Sequence, residues 1–357
     1  NTNSVDQEHT LYESFISSKL ILSVFSDWIK LVRKAKKLKR NISKSIPKAY
    51  LYPLIIDDWN ESFYGRSSLM NLCYLAVFEK ALKFLPRQKI GFYLQENQPW
   101  EIALIYSWRK YNHGILHGFP HTGVRDWDLR YFHHFKIYES SSQSKLPLPD
   151  KVIITGPAAL RSYKDWGYPT SSYVKAEALR YLYLDNGKQS KKNMSYEKDK
   201  LNFLILGEYR LKQTSDMLKL VADLDQKNLT KINIILKPHP ACPIDVKDYP
   251  SIDIEISTED ISEIFSNIDV TFSSNISTAG VDAYCNGIKT LVMKDPRDFN
   301  MSLLKEADNV TWIQSTEDIA NLIDNFKPKE DFLGKKEDYF YLNQELLEWK
   351  KIIEQSV

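Results

Sequence analysis

Two segments in the second half of the sequence carry residues suited to holding a phosphate group. The first is Lys237-Pro238-His239-Pro240, which follows residues 232–236, a β-branched run typical of a strand buried on both faces. The second, residues 273–280, is rich in serine, threonine and asparagine and follows the run 269–272. Each segment stands where a predicted strand gives way to a loop. Hydroxyls and backbone N–H groups at a helix start favour an anion.

His239 is the central residue of this predicted anion site. Its ring can donate a hydrogen bond or carry a positive charge, and Lys237 adds a point charge beside it. The alternative is that the prolines only shape a turn and that the hydroxyls only cap a helix. Five polar residues in six positions exceed what one cap needs, so we favour phosphate contact. The predicted contacts are Lys237, His239, Ser273, Ser274, Asn275, Ser277 and Thr278.

Carboxylates and one histidine follow other predicted strands. Glu96 comes directly after the predicted strand 90–94, and its loop leads into a helix that begins near Pro99. A carboxylate at the end of a strand can act as a general base or as a nucleophile. We rank Glu96 first and Asp126 second, and the alternatives stay open. The full set of catalytic candidates is Glu96, His121, Asp126, Asp128 and Glu208.

The His-Pro element and the downstream serine pair resemble the carboxyl-terminal half of GT-B glycosyltransferases that use cytidine nucleotides. These include bacterial sialyltransferases, Kdo transferases and polyglycerol-phosphate polymerases. Residues 95–101, 103–110 and 127–131 look like a bacterial surface-carbohydrate biosynthesis family that includes transferases of nonulosonic acids such as pseudaminic acid. The resemblance covers roughly residues 90 to 310. It is carried by short motifs rather than by an extended match.

The resemblance implies transfer of an acidic sugar from its CMP conjugate to a glycan or lipid-linked glycan acceptor, and it leans towards retention of configuration. It implies no cofactor and no metal. Asp282, one turn into the helix after the serine pair, would accept ribose hydroxyls, although complementation of the helix dipole is nearly as good an explanation. Arg125 and Arg130 would bind the acidic sugar. The triplet Asp126-Trp127-Asp128 also resembles a GT-A metal motif, but three residues match easily by chance.

Two other functions remain as alternatives. One is a polyol-phosphate transferase that uses a CDP-alcohol, for which His121 is the expected base. The other is a non-catalytic subunit that binds a nucleotide sugar within a polysaccharide assembly complex.

Composition is that of a globular protein rather than a disordered or nucleic-acid-binding chain. The 357 residues include 43% apolar and 26% charged residues, and 48 Lys and Arg nearly balance 46 Asp and Glu. The three cysteines lack the spacing of a zinc site or a disulfide framework, which suits a reducing compartment. We therefore predict a cytoplasmic enzyme without nucleic-acid partners.

Positive charge is concentrated in residues 30–48, which contain no acidic residue. Leu31, Ala35 and Leu38 have helical spacing there, so the segment is predicted to be a basic amphipathic helix. It is either a solvated basic face or a peripheral contact with anionic lipid at the inner face of the cell membrane.

Alternating predicted strands and helices indicate an α/β fold with two Rossmann-like, doubly wound domains facing across a cleft, as in GT-B enzymes, after a helix-rich opening. Helical periodicity covers residues 11–40 and 68–85, with a predicted loop around residues 52–60. The predicted domains are an acceptor-side domain, a linker, a nucleotide-sugar domain and a last helix that crosses back to the first domain. Their bounds are 1–185, 186–200, 201–335 and 336–357.

Overall fold

The computed structural model describes residues 9–45, 52–120, 123–125, 127–132, 146–169, 172–186, 200–327 and 334–355. The chain forms two compact units. The first is made of Asn1–Phe119, Lys136–Val152 and Ile353–Val357, and the second of Pro120–Phe135 and Ile153–Ile352. The predicted linker lies mostly outside the described residues, and the predicted domain boundaries stay predictions.

The first unit begins with a layer of helices. Leu20 and Val24 of its first helix pack against Val77 in one buried cluster. The Trp28 indole N–H donates a hydrogen bond of 2.9 Å to the hydroxyl of Ser68, which fixes the two helices further. The helices are α1 (Ser18–Ser45), α2 (Tyr52–Phe63), α3 (Arg66–Phe84) and α4 (Pro99–Lys110), with a short 3₁₀ helix at Tyr12–Phe15.

Helix α2 corrects the sequence analysis, which predicted a loop around residues 52–60. Pro53 lies in the first turn of α2, where a proline ring fits and its missing N–H has no partner to lose. The rings of Trp59 and Phe63 lie 4.5 Å apart, as expected for residues four positions apart on a helix. The proline therefore starts a helix here.

A parallel sheet follows the helices. Its strands are β1 (Ile90–Leu94), β2 (Ile115–Phe119), β3 (Lys151–Ile154) and β4 (Tyr173–Lys175), in the order β1-β2-β3-β4. Ile90 is in register with Ile115, and His117 with Lys151. Helix α4 connects β1 to β2 as predicted, and a capping box between Gln98 and Glu101 starts it.

The second unit contains a larger parallel sheet in the order β10-β9-β8-β5-β6-β7. The chain goes outwards from β5 to β7 and then returns to β8 on the other side of β5. The point where the direction reverses lies between β5 and β8, as in a doubly wound fold. The strands are β5 (Leu201–Leu206), β6 (Ile232–Lys237), β7 (Ile254–Ile256), β8 (Val270–Ser274), β9 (Lys289–Met293) and β10 (Val310–Ile313).

Helices cover both faces of this sheet. Phe203 and Ile205 of β5 belong to one buried cluster, and Leu204 and Leu206 belong to another on the opposite face. This burial on both faces explains the uninterrupted apolar sequence of β5. The helices that contribute to these clusters are α6 (Leu211–Ala222), α7 (Gln226–Leu229), α8 (Ile261–Ile264), α9 (Ala279–Cys285) and α10 (Thr316–Asn325). The second unit also contains α5 (Pro157–Asp165), and the chain ends with α11 (Leu347–Glu354).

The last helix, α11, covers only part of the range 336–357 that is predicted for it. The first part of this range is extended, because the Tyr341 N–H donates to the Thr155 carbonyl at 2.7 Å and the Tyr341 carbonyl accepts from the Ala178 N–H at 2.9 Å. Phe340 stacks on Tyr181 with ring centroids 3.8 Å apart. These long-range contacts outweigh the local helical tendency. Among the described residues, no helix is both long and apolar enough to span a membrane.

Candidate functional site

Two candidate residues meet where the second sheet reverses direction. Glu208 follows β5 and Ser274 ends β8, and both side chains are buried. The Ser274 hydroxyl donates to Oε1 of Glu208 at 2.9 Å. The Glu208 backbone N–H donates to the Thr214 hydroxyl of α6 at 2.8 Å. The pair therefore links the two neighbouring strand ends at the position where doubly wound folds bind their ligands.

Arg125 completes a charged network with this pair. Burial lowers the pKa of its guanidinium, and the neighbouring carboxylates of Asp128 and Glu208 oppose that change. An arginine keeps its positive charge under these conditions, since its pKa starts far above neutrality. The site therefore combines a half-buried cation with two carboxylates, one of which, Glu208, follows the carboxyl end of β5.

Asp128 is engaged by Arg130 rather than available to a substrate. Nε and Nη2 of Arg130 donate to the two carboxylate oxygens at 2.9 and 2.7 Å. Burial acts to raise the pKa of Asp128, but the hydrogen bonds and charge of Arg130, with a smaller contribution from Arg125, lower it overall. A carboxylate with a lowered pKa is a weak base. The structure thus pairs one predicted sugar-binding arginine, Arg130, with the catalytic candidate Asp128, while Arg125 acts on this carboxylate through its charge.

His121 and Asp126 lie outside the described residues. Across the described parts of the chain, no three or more His, Cys, Asp or Glu side chains come close enough together to hold a metal ion. Independence from metal and from cofactors stays a prediction.

His239 projects beyond β6 as predicted, and its neighbours define how it can act. Its Nδ1 accepts the Ala241 backbone N–H at 3.1 Å, so in the neutral ring the proton resides on Nε2. The ring of Tyr209 meets it edge to face at 5.6 Å between centroids. His239 can therefore offer Nε2–H as a hydrogen-bond donor.

A glycine allows this loop to lie close to β5. A Cβ atom on Gly207 would come within 2.9 Å of the Lys237 carbonyl oxygen and within 3.0 Å of the His239 nitrogen. The Gly207 N–H donates to the same Lys237 carbonyl at 2.8 Å. The ends of β5 and β6 are thereby held together, which brings the Glu208 loop next to the His239 loop.

The predicted serine cluster divides into an inner and an outer part. Ser273 and Ser274 are buried, whereas Asn275, Ser277 and Thr278 are half-buried. A Cβ atom on Gly280 would come within 2.5 Å of the Ser273 hydroxyl, so α9 packs directly against this strand end. The Thr278 side chain does not cap α9, which removes the simplest structural explanation for that residue. Contact of these residues with a phosphate stays a prediction.

Asp282 lies inside the second unit, with only 3% of its surface exposed. Burial raises its pKa to about 7, and the nearby Arg180 and Tyr183 side chains oppose that rise. Within the described residues its Oδ1 has no hydrogen-bond partner. The predicted ribose contact would require a ligand to reach this buried carboxylate, and it stays a prediction.

Glu96 belongs to the first unit and is half-buried in the loop after β1. Its backbone N–H and that of Gln98 donate to Oε1 of Glu101, both at 2.8 Å. Burial raises the pKa of Glu101, while these backbone hydrogen bonds oppose the rise. Glu101 therefore anchors the loop, and Glu96 is the carboxylate that this loop presents.

The sequence analysis missed an aromatic pair near the ends of β8 and β9. Trp127 stacks on Phe299 with centroids 5.6 Å apart and planes at 14°. Trp127 has a φ of 64°, a left-handed conformation that is rare for a bulky residue. The Asn275 amide donates to the Phe299 carbonyl at 3.0 Å, which links the pair to the serine cluster. Only the tryptophan in the acidic triplet signalled this feature.

Comparisons with known proteins identify the fold. No protein-family model matches the sequence, and no curated protein sequence matches it. A UDP-N-acetylglucosamine 2-epimerase structure matches with a TM-score of 0.50 and 10% identity over 88% of each chain. The pneumococcal O-GlcNAc transferase GtfA in complex with UDP and GlcNAc matches with a TM-score of 0.50 and 15% identity. That match covers 79% of this chain and 60% of the pneumococcal chain.

A chain of a GtfA/B complex is similar at a TM-score of 0.47 and 10% identity, with 82% of this chain and 61% of that chain covered. This chain thus spans about three fifths of the length of each of these two matched chains. Together with the two parallel sheets, the matches confirm the predicted α/β fold class with two Rossmann-like units of the GT-B kind.

Proposed function

We propose that this chain is a glycosyltransferase that moves an acidic sugar, a nonulosonic acid such as pseudaminic acid or Kdo, from its CMP conjugate to a surface-glycan acceptor. The observation that carries the proposal is the buried Glu208–Ser274 pair with Arg125 at the reversal point of a GT-B sheet. In such folds the ligand lies beyond the strand ends at this point. The choice of CMP rests on the resemblance of residues 237–240 and 273–280 to transferases that use cytidine nucleotides.

The nucleotide phosphate is placed beside His239 and Lys237 in this proposal. Nε2–H of His239 donates to a phosphate oxygen while the Ala241 N–H holds the ring through Nδ1. Negative charge accumulates on the phosphate as the bond to the sugar breaks. A donor that is already oriented stabilises that charge without rearrangement.

Glu96 remains the first candidate for the reacting carboxylate. Asp128 is held by two hydrogen bonds from Arg130, and Glu208 accepts from Ser274 beside Arg125. Both carboxylates already serve the network, whereas Glu96 is presented by a loop that Glu101 anchors. A base or nucleophile has to approach the acceptor or the sugar, and Glu96 follows the carboxyl end of a parallel strand, where α/β folds present side chains to ligands.

Arg125 and Arg130 are the proposed contacts for the carboxylate of the acidic sugar. The side chain of Arg130 is 51% exposed although it is paired with Asp128, so part of its donor surface faces solvent. A bidentate arginine contact would distinguish an acidic sugar from a neutral one.

The test is incubation with CMP-activated nonulosonic acids and CMP-Kdo, with a glycan or lipid-linked glycan acceptor, followed by measurement of CMP release and of the product. We expect acceptor-dependent CMP release with an acidic sugar and none with UDP-N-acetylglucosamine. The anomeric configuration of the product, read by NMR, decides between retention and inversion.

The same assay separates the alternatives, because a fold does not determine a reaction. Release of glycerol phosphate or another polyol phosphate from a CDP-alcohol would identify the phosphotransferase. Tight CMP-sugar binding without turnover in the presence of acceptors would identify a non-catalytic subunit. Interconversion of UDP-sugars without transfer would place the chain with the epimerase that shares its fold.

A further inference from the structure

Helix α1 carries an apolar stripe that belongs to no buried core cluster formed by the described residues. The stripe consists of Ile21, Leu22, Phe25 and Ile29, which have helical spacing along two turns. Their surfaces are 43%, 71%, 49% and 45% exposed, respectively. Leaving four large apolar side chains in water on one helix is unfavourable, and such patches usually mark an interaction surface.

The stripe is separate from the side of α1 that packs on the protein. Leu20, Val24 and Ala35 are buried, and Trp28 is bonded to Ser68 of α3. At about 100° per residue, the buried side and the exposed stripe point roughly 100° apart around the helix axis. The stripe is therefore a second apolar face of the same helix.

Basic residues continue the stripe towards the end of the helix. Arg33, Lys36 and Lys37 are all exposed. Lys36 lies in line with Phe25 and Ile29 along the helix, Arg33 lies beside that line, and Lys37 follows Arg33 after one turn. The acidic residue of this part of α1, Asp27, points away from the stripe and is paired with Lys30 at 2.8 Å.

This arrangement differs from the one that the sequence indicated. Leu31, Ala35 and Leu38 were the predicted apolar face of a basic helix, but Ala35 is only 1% exposed and Leu31 is half-buried. The basic residues of 33–37 are combined instead with the exposed apolar residues of 21–29.

We propose that this face of α1 docks the protein on a membrane surface that contains anionic lipid, and the proposal is independent of the enzyme activity. Apolar side chains of this size can enter the boundary between headgroups and acyl chains, while lysine and arginine contact lipid phosphates. A helix of this length extends about 40 Å along a surface.

The positive charge of this face favours an anionic membrane surface over a second copy of the chain as its partner. Pairing two copies of the face would put six cations, two sets of Arg33, Lys36 and Lys37, on one interface, and the acidic residue of α1, Asp27, points away from it. A surface of anionic headgroups instead complements all three cations and accepts the apolar stripe beside them.

The experiment is sedimentation of the full chain with phosphatidylcholine vesicles, with and without phosphatidylglycerol, at low and raised salt. We expect binding to the anionic vesicles and weaker binding at raised salt. The combined variant Arg33→Glu, Lys36→Glu, Lys37→Glu loses about a hundredfold in vesicle affinity, at roughly fivefold per charge contact. The variant Leu22→Ser, Phe25→Ser loses about tenfold or more, because the anchoring apolar surface is gone.

Matched controls keep the test specific. Lys164→Glu with Lys219→Glu reverses exposed charges on α5 and α6, and Phe84→Ser removes an apolar side chain that is 72% exposed on α3. These controls retain vesicle binding. Circular dichroism confirms that each variant is folded, as expected for exposed positions. Equal vesicle binding by wild type and both α1 variants, or no binding by wild type, overturns the proposal. A dimer in sedimentation velocity that Phe25→Ser abolishes, without vesicle binding, assigns the face to a second copy instead.

Discussion

Replacement of Asp282 by asparagine should remove a pH dependence from the stability of this protein. Burial raises the pKa of Asp282 from 3.8 to about 7 in the folded chain. Between these two pH values the folded protein holds a proton that the unfolded chain has released. The free energy of unfolding therefore falls as the pH rises from about 4 to about 7, and it is flat with respect to this group above that range.

The magnitude follows from the same pKa values. The increase from 3.8 to about 7 corresponds to about 4 kcal/mol at most, at about 1.4 kcal/mol per pKa unit. Asparagine cannot ionise, so the unfolding free energy of the Asp282→Asn variant lacks this dependence on pH. Its amide N–H₂ has to be accommodated next to Tyr183 and Arg180, which costs about 1 to 3 kcal/mol at every pH. We expect the variant to equal or trail wild type near pH 5 and to surpass it near pH 8.

The assay is denaturant unfolding of both proteins between about pH 5 and about pH 8. The difference in unfolding free energy between wild type and Asp282→Asn cancels the titration of all other groups. The control is Asp253→Asn, at an exposed position. A difference that does not change with pH would refute the assignment of a buried carboxylate with a raised pKa. Calorimetric titration of the same variant with CMP tests the proposed ribose contact, which predicts an affinity about tenfold lower.

Four further outcomes test the site. In the CMP-release assay, His239→Ala should lower turnover by about two to three orders of magnitude. His239→Gln retains an N–H near the position of Nε2 and should lose about tenfold or less. The control Lys247→Ala, at an exposed position, should have no effect. Glu96→Gln should slow transfer about a hundredfold while calorimetry gives an unchanged CMP-sugar affinity, and a normal rate would place the reacting group elsewhere. Activity should persist in EDTA, and a loss that magnesium or manganese restores would contradict metal independence. Asp128→Asn should lower the unfolding free energy by about 1 to 3 kcal/mol, because Arg130 loses a charged partner, and an unchanged denaturation midpoint would show that this pair contributes nothing.

The strands of the second unit were predictable because their signals are local. Residues 232–236 are predicted to form a strand, and the structure has a strand at Ile232–Lys237. A strand buried on both faces is continuously apolar and β-branched, and no distant residue has to be known to recognise it. The alternation of such strands with helices then implies a parallel, doubly wound sheet.

Local signals were insufficient where distant contacts decide the conformation. Residues 339–346 have the composition of a helix, but Tyr341 pairs with backbone groups of Thr155 and Ala178. Those partners lie more than 150 residues away in the sequence, so periodicity could not reveal them. The error at α2 had a local cause instead: Pro53 was taken for a loop residue although a first-turn proline is a common helix start.

The candidate site shows the same division between local and distant information. The Asp128–Arg130 pair connects residues two positions apart, and the order of charges in the sequence could have suggested it. The bond between Ser274 and Glu208 spans 66 positions. Sequence reasoning placed each of the two at the end of a strand, but only the strand order makes those ends neighbours.

The charge balance of these side chains indicates which part of the proposed site attracts the phosphate and which part selects the sugar. Of the described side chains, Arg125 and Arg130 contribute two positive charges, and Asp128 and Glu208 contribute two negative charges. A network that is already neutral adds little attraction for an anionic ligand, and its buried partners mainly fix geometry. Attraction for a phosphate would then come from the Lys237 and His239 side of the strand ends, where no carboxylate is paired with either residue in the part of the chain described. The arginine side would instead select the sugar, because a carboxylate on the substrate could share the arginine donors only if its position matched the space beside Asp128 and Glu208.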